Sequence, residues 1–94
     1  MKRYTIGKMA KLNNVTEQTL RLYDKMGLFK PAYVDEHNGY RLYDIGQSAR
    51  LDIIQYLKNL GMTLKEIKEI FDSKNLELLQ EKLEESKLQI NNQI

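Results

Sequence analysis

Apolar positions recur with a helical period in five stretches of the chain, interrupted once by a short alternating segment. The first stretch holds Ile6, Met9 and Ala10 at i, i+3, i+4, one face of a helix, with Thr5 as its candidate cap. Lys8 and Lys11 lie away from that face. Asn13-Asn14 ends it, because asparagine favours turns and tolerates left-handed geometry. Residues 15–28 form the stretch around which the rest is arranged. Thr16 can cap this helix, Gly27 can close it in the left-handed conformation, and Leu20 and Tyr23 share one side. Gln18, Arg21 and Lys25 lie round another side. Two short helices joined by a tight turn, with Val15 packed inward at the joint, predict a helix-turn-helix.

Pro31 cannot continue a helix and pushes Lys30 toward extended geometry. Asn38-Gly39, with Tyr33-Val34 before it and residues 40–43 after it, predicts a two-stranded hairpin on a type I′ turn, both turn residues at positive φ. An isolated hairpin is marginal, so it must lean on the helices, with Tyr43 in the core and Tyr40 and Arg41 as its functional side chains. Asp44 and Gln47 resemble a capping box. Behind them Ile45, Ala49, Ile53, Leu57 and Leu60, with Ile54 and Tyr56 beside them, form the longest apolar stripe and the expected spine of the core. Gly61 stops that helix. Thr63 and Glu66 form a second capping box, opening a helix with Leu64, Ile67, Ile70 and Phe71 on one face. The start of this helix, flanked by Lys58 and Lys65, either offers free N–H groups to a phosphate or is an ordinary helix corner. After a polar break, Leu76, Leu83 and Ile90 repeat every seven residues, with Leu79, Ser86 and Gln93 between them. They read as a coiled-coil seam that weakens toward the end, or as a lone amphipathic helix lying on the domain.

The expected fold is mainly α, a winged helix-turn-helix with a small β-hairpin wing and a C-terminal coiled-coil helix. The expected domains are a DNA-binding domain over 1–72 and a dimerisation helix over 73–94, cut inside its pattern. Charge supports a polyanion partner. Residues 1–62 hold ten Lys/Arg against six Asp/Glu, whereas 63–94 hold five against seven. The chain has no cysteine, which excludes disulfides, thiolate metal sites and thiol catalysis. No apolar run approaches the ~20 residues that span a bilayer, and no signal peptide is present, so a cytoplasmic location is expected. His37 is the only histidine, and no carboxylate pair, nucleophile–base pair or phosphate-binding glycine loop stands out, so an enzyme is not expected. Gln and Arg side chains pair with base edges in the major groove. The chain therefore reads as a sequence-specific DNA-binding regulator. The alternatives are a short excisionase-like or architectural winged-helix protein and a helical protein-interaction module.

The order of motifs resembles the DNA-binding half of the MerR family of transcription regulators. Residues 4–7, 19–28 (TLRLYDKMGL), Lys30-Pro31, 38–43 (NGYRLY) and 60–67 (LGMTLKEI) carry the resemblance. It covers roughly residues 3–72. It implies a homodimer joined by an antiparallel coiled coil through Leu76, Leu79, Leu83 and Ile90. It implies a pseudo-palindromic promoter whose overlong spacer is bent and untwisted, with RNA polymerase as a partner at that promoter. It places Thr16, Gln18, Thr19 and Arg21 at the major groove and Tyr23 on a phosphate. Tyr40 and Arg41 become the wing contacts, and Lys58, Gly61 and Thr63 the second wing's phosphate contacts. Leu22 stands where the family usually carries an aromatic or histidine and cannot donate to a phosphate. Lys8 stands where an acidic residue is usual. Without cysteine, neither the family's metal sensing nor its iron–sulfur sensing is implied, and no cofactor is expected. The effector ligand belongs to a domain outside this stretch.

Overall fold

The structure, a computed structural model, describes residues 2–73 together with 77, 80, 81 and 84. The expected seam residues Leu76, Leu79, Leu83 and Ile90 lie outside the described residues. The chain divides into two compact units, Met1–Ile53 and Ile54–Ile94.

In the first unit, strand β1 (Arg3–Thr5) leads into helix α1 (Ile6–Leu12). Thr5 caps that helix, its hydroxyl accepting from the Lys8 N–H at 3.3 Å. The turn after α1 places Asn14 at φ +55°, the left-handed geometry expected of the asparagine pair. Helix α2 (Glu17–Met26) follows, capped by Thr16 and closed by Gly27 at φ +77°. The Leu28 N–H donates to the Tyr23 carbonyl and the Gly27 N–H to the Asp24 carbonyl, a Schellman close. Strands β2 (Tyr33–Val34) and β3 (Arg41–Asp44) complete an antiparallel sheet of order β1-β3-β2, with Tyr4 opposite Tyr43 and Tyr33 opposite Leu42.

Two expectations are corrected here. The sheet has three strands, because β1 pairs with β3. Three residues are too few to show a period-2 pattern, so this strand leaves no trace in the sequence. The wing loop is not a type I′ turn. Only Gly39 takes positive φ (+71°), and six residues separate the strands. Asp35 and Asn38 build this longer loop by accepting the loop's own N–H groups, from His37 at 2.8 Å and from Tyr40 at 2.9 Å.

The core of this unit is Met9, Leu20, Tyr23, Leu28, Phe29, Tyr43 and Leu51, each at most 1% exposed. Phe29 and Tyr43 stack with ring centroids 5.7 Å apart. Each fully buried large apolar side chain contributes roughly 1.5–3 kcal/mol, and the two helices of the pair share this interior.

Asp44 opens a 3-10 turn, Ile45–Gln47, with both halves of the expected capping box formed, and helix α3 (Ser48–Asn59) continues from it. The buried face of α3 is Leu51, Ile54 and Leu57, not the expected Ile45-Ala49-Ile53 line. Ile45, Ile53 and Tyr56 are 43–51% exposed. The 3-10 turn carries three residues per turn, so positions counted through it at 3.6 fall out of phase.

In the second unit, Ile54, Leu57, Ile67 and Ile70 are buried. Gly61, at φ +96°, closes α3 by a second Schellman pattern, with Met62 donating to Leu57 and Gly61 to Lys58. Helix α4 (Leu64–Ser73) begins after Thr63. Among the described residues no helix is long and apolar enough to cross a membrane.

Candidate nucleic-acid interface

Burying Leu20 and Tyr23 fixes the rotation of α2, and the opposite side of the helix is left to solvent. Gln18, Arg21, Leu22 and Lys25 are exposed there, at spacings of three, one and three residues, so they share one face. Gln18 and Arg21 offer paired hydrogen-bonding groups, and Leu22, 46% exposed, offers an apolar contact between them. At the front of the helix Thr16 and Thr19 form a unit. The Thr16 hydroxyl accepts from the Thr19 N–H at 3.0 Å, and the two hydroxyls lie 2.8 Å apart. One hydroxyl donates to the other, so the pair keeps a single hydroxyl proton for an outside acceptor.

Tyr23 is not part of this surface. It is 1% exposed, and its hydroxyl is buried with no hydrogen-bond partner among the described residues. The phosphate contact expected of it is corrected accordingly. Its spacing from Leu20 put the ring on the core side, and the whole side chain follows the ring inward.

The wing meets α2 through charge. Arg41, on β3, pairs through its Nε with Asp24 of α2, and the Lys30 ammonium stands 3.7 Å from the same carboxylate. Asp24 is only 13% exposed, whereas Arg41 and Lys30 are largely open to solvent. Tyr40, 65% exposed, projects beside Arg41. One cleft is lined by Thr5, Ile6, Arg21, Gly39, Tyr40 and Arg41. A second is lined by Arg21, Asp24, Lys25, Lys30 and Arg41. Arg21 and Arg41 line both clefts, so α2 and the wing present adjoining cationic surface with one carboxylate set into it. Tyr43 reports the same cluster from inside. Burial pushes its hydroxyl pKa up, Asp24 adds to the rise, and Arg41 and Arg21 pull it back.

Asp24, Lys30 and Gln47 are the residues of this cluster that sequence reasoning missed. Asp24 looks like an ordinary helix-surface carboxylate until the fold brings Arg41 to it. Gln47 is visible in sequence only as a capping residue. In the fold its Oε1 accepts from the Asp44 N–H at 2.9 Å and from the Ala32 N–H at 3.2 Å, while its Nε2 donates to the Lys30 carbonyl at 2.6 Å. It thereby ties the Lys30–Ala32 segment to the end of β3.

Within the second unit, Lys58, Gly61 and Thr63 gather at the corner between α3 and α4, all three exposed. Glu66 occupies the helix start there. The Thr63 N–H and hydroxyl both donate to its carboxylate, at 3.1 and 3.0 Å, and the Glu66 N–H donates back to Thr63 at 3.1 Å. Among the described residues no group of three or more His, Asp or Glu could hold a metal ion.

Comparison with known proteins agrees with this geometry. The family described as "MerR HTH family regulatory protein" matches residues 4–74. The "Multidrug-efflux transporter 1 regulator" of Bacillus subtilis (strain 168) is 48% identical over 75 residues, 80% of this chain. The chain spans about a quarter of that relative's length, 27%. Among solved structures, HiNmlR, "a MerR family regulator lacking the sensor domain, bound to promoter DNA", superposes with a TM-score of 0.84 at 32% identity, over 97% of this chain and 79% of that one. The "EcmrR-DNA complex in EcmrR-RPo" contains a chain with a TM-score of 0.74 at 34% identity, covering 96% of this chain and 34% of that one.

Proposed function

The chain belongs to the MerR family of helix-turn-helix regulatory proteins, and from that premise we propose that it is the DNA-reading part of a transcriptional regulator. It binds a pseudo-palindromic promoter as a homodimer and acts by bending and untwisting the spacer between its half-sites. The observation that carries this is the exposed Gln18–Arg21–Leu22–Lys25 face of α2, whose Arg21 lines one cleft with Tyr40 and Arg41 of the wing and, with Lys25, a second cleft with Arg41. An α-helix of this width enters a major groove, and a wing beside it reaches the flanking backbone. In this reading Thr16, Gln18, Thr19 and Arg21 face the groove, Tyr40 and Arg41 contact the backbone, and Lys58, Gly61 and Thr63 hold a phosphate. Residues 73–94 supply the dimer seam through Leu76, Leu79, Leu83 and Ile90. RNA polymerase is the partner at the promoter, and an effector binds outside this stretch.

The test is a titration of the chain against a duplex from the promoter region of its own gene and against a scrambled duplex, at two salt concentrations. Preference for the promoter, with affinity falling steeply as salt rises through counterion release, supports the proposal. Equal and salt-insensitive binding to both duplexes overturns it. Sedimentation of the same chain addresses the dimer, and a monomer at every concentration argues against the seam.

A further inference from the structure

Asp24 is an acidic group placed in the middle of a surface that has to meet a polyanion. Four cations, Arg21, Lys25, Lys30 and Arg41, line a cleft with it, and its side chain is the least exposed of the Asp24–Lys30–Arg41 group. Its charge opposes any phosphate that approaches, whatever the DNA sequence. Its geometry does the opposite for one particular approach. Asp24 follows the buried Tyr23 in α2, so its backbone position is fixed by the core. Arg41 lies on β3, the central strand, with Val34 opposite it on β2, so its backbone is fixed as well. The carboxylate pairs with Arg41 at the Nε of the guanidinium. A guanidinium has five N–H donors in a rigid fork, so it can face a carboxylate and still offer donors to a phosphate.

We propose, on the DNA-binding reading above, that Asp24 is a positioning residue that sets specificity. It holds the Arg41 guanidinium at one place beside the recognition helix and cancels part of the charge that would bind DNA in any register. A phosphate contact carries no base information itself, but it fixes register and orientation on the duplex. Fixed register matters only where Gln18 and Arg21 must meet matching base edges. On unrelated DNA any loose cation serves equally well. Asp24 therefore strengthens the specific complex and weakens the non-specific one. Lys30, 3.7 Å from the other carboxylate oxygen, is held in the same way with less directionality.

The experiment measures affinity for the promoter and scrambled duplexes across a salt series. In Asp24→Asn, promoter affinity falls roughly tenfold while scrambled-duplex affinity rises, because the ion pair that holds Arg41 is lost and a net positive charge is gained. The slope of log affinity against log salt on the scrambled duplex steepens by up to ~1. Asp24→Glu restores most of the promoter preference. Arg41→Ala lowers the same preference, and adding Asp24→Asn to it lowers the preference far less than in the parent, because Asp24 acts mainly through Arg41 and only in smaller part through Lys30. Should Asp24→Asn lose its thermal transition, Arg41→Lys decides the matter. Lysine keeps the charge but lacks the fork, so the preference falls while scrambled-duplex affinity holds. An unchanged preference in Asp24→Asn, or a full Asp24→Asn effect on the Arg41→Ala background, overturns the role of Asp24. A parent chain that itself prefers neither duplex overturns the regulator reading and the role of Asp24 with it.

Discussion

Replacing Gln47 by alanine tests whether the wing is held by one amide side chain. Three hydrogen bonds disappear, to the Ala32 N–H, the Asp44 N–H and the Lys30 carbonyl. Each such bond has a net worth of ~0.5–1.5 kcal/mol. The bonds to Ala32 and Lys30 are solvent-exposed and belong at the lower end, whereas that to Asp44 is partly buried. The sum is about 2 kcal/mol, which for a domain of this size lowers the thermal midpoint by roughly 10 °C. Gln47→Glu separates the contributions. It keeps the oxygen that accepts from Ala32 and Asp44 but sets a second oxygen against the Lys30 carbonyl, so its midpoint falls between parent and alanine variant. Thermal melts followed by circular dichroism give the order directly. A functional change accompanies the structural one, since the freed segment carries Lys30 and leads into β2, where Val34 pairs with Arg41. Promoter affinity measured well below either midpoint therefore drops as well. An alanine variant melting within about 2 °C of the parent refutes the claim that Gln47 fastens this corner.

Three further outcomes are expected. Arg21→Ala relaxes the preference at one base pair by ~1–3 kcal/mol, read by titrating duplexes altered one position at a time; an unchanged preference sinks the base contact. Thr63→Ala removes the cap whose hydroxyl accepts from the Glu66 N–H and costs ~1 kcal/mol, seen as a lower denaturation midpoint with an unchanged m-value; an unmoved midpoint removes the cap from the account. Tyr43 has its pKa raised above the ordinary value of 10.0 in the fold, so the unfolded chain releases this proton first. Stability from this group is present below pH 10.0 and is lost as pH rises through the window between that value and the raised one. Tyr43→Phe, which breaks no hydrogen bond because the hydroxyl has no partner among the described residues, loses less stability than the parent over that window, and identical alkaline melts exclude Tyr43 as the cause.

The helix-turn-helix is legible in the sequence because its signals are local. Thr5, Thr16 and Gly27 act within a few residues of themselves, and each does in the fold what its side chain dictates. The expected caps at Asp44 and Thr63 form for the same reason. What the sequence hides is non-local. Strand β1 is three residues long and exists because β3 lies beside it. The buried line of α3 could not be chosen from periodicity, since Ile53 and Ile54 are adjacent and both apolar, and only packing selects Ile54. Tyr23 carries a polar tip on an inward-facing ring, so its type suggests a contact that its position denies. The Asp24–Arg41 pair joins residues seventeen apart, and charged residues are too common for a pairing at that separation to be read from the chain.

The length of α2 limits what one copy can do. Ten residues rising 1.5 Å each give a helix about 15 Å long, and in the proposed reading only its front turns carry base-reading groups. Such a helix discriminates a handful of base pairs, each mismatch costing ~1–3 kcal/mol. That is too little to select one promoter among the non-specific sites of a genome. A second copy reading the other half-site doubles this contribution, and the deformability of the DNA between the two copies adds a sequence-dependent cost that neither helix touches. The two contributions separate experimentally. A duplex holding one intact half-site should lose most of the promoter preference. Inserting ~5 base pairs between two intact half-sites turns them about half a helical turn apart and should weaken binding to the half-site level. An insertion that leaves affinity unchanged means that the two half-sites are not read together, and the dimeric mechanism falls even if α2 reads bases as described.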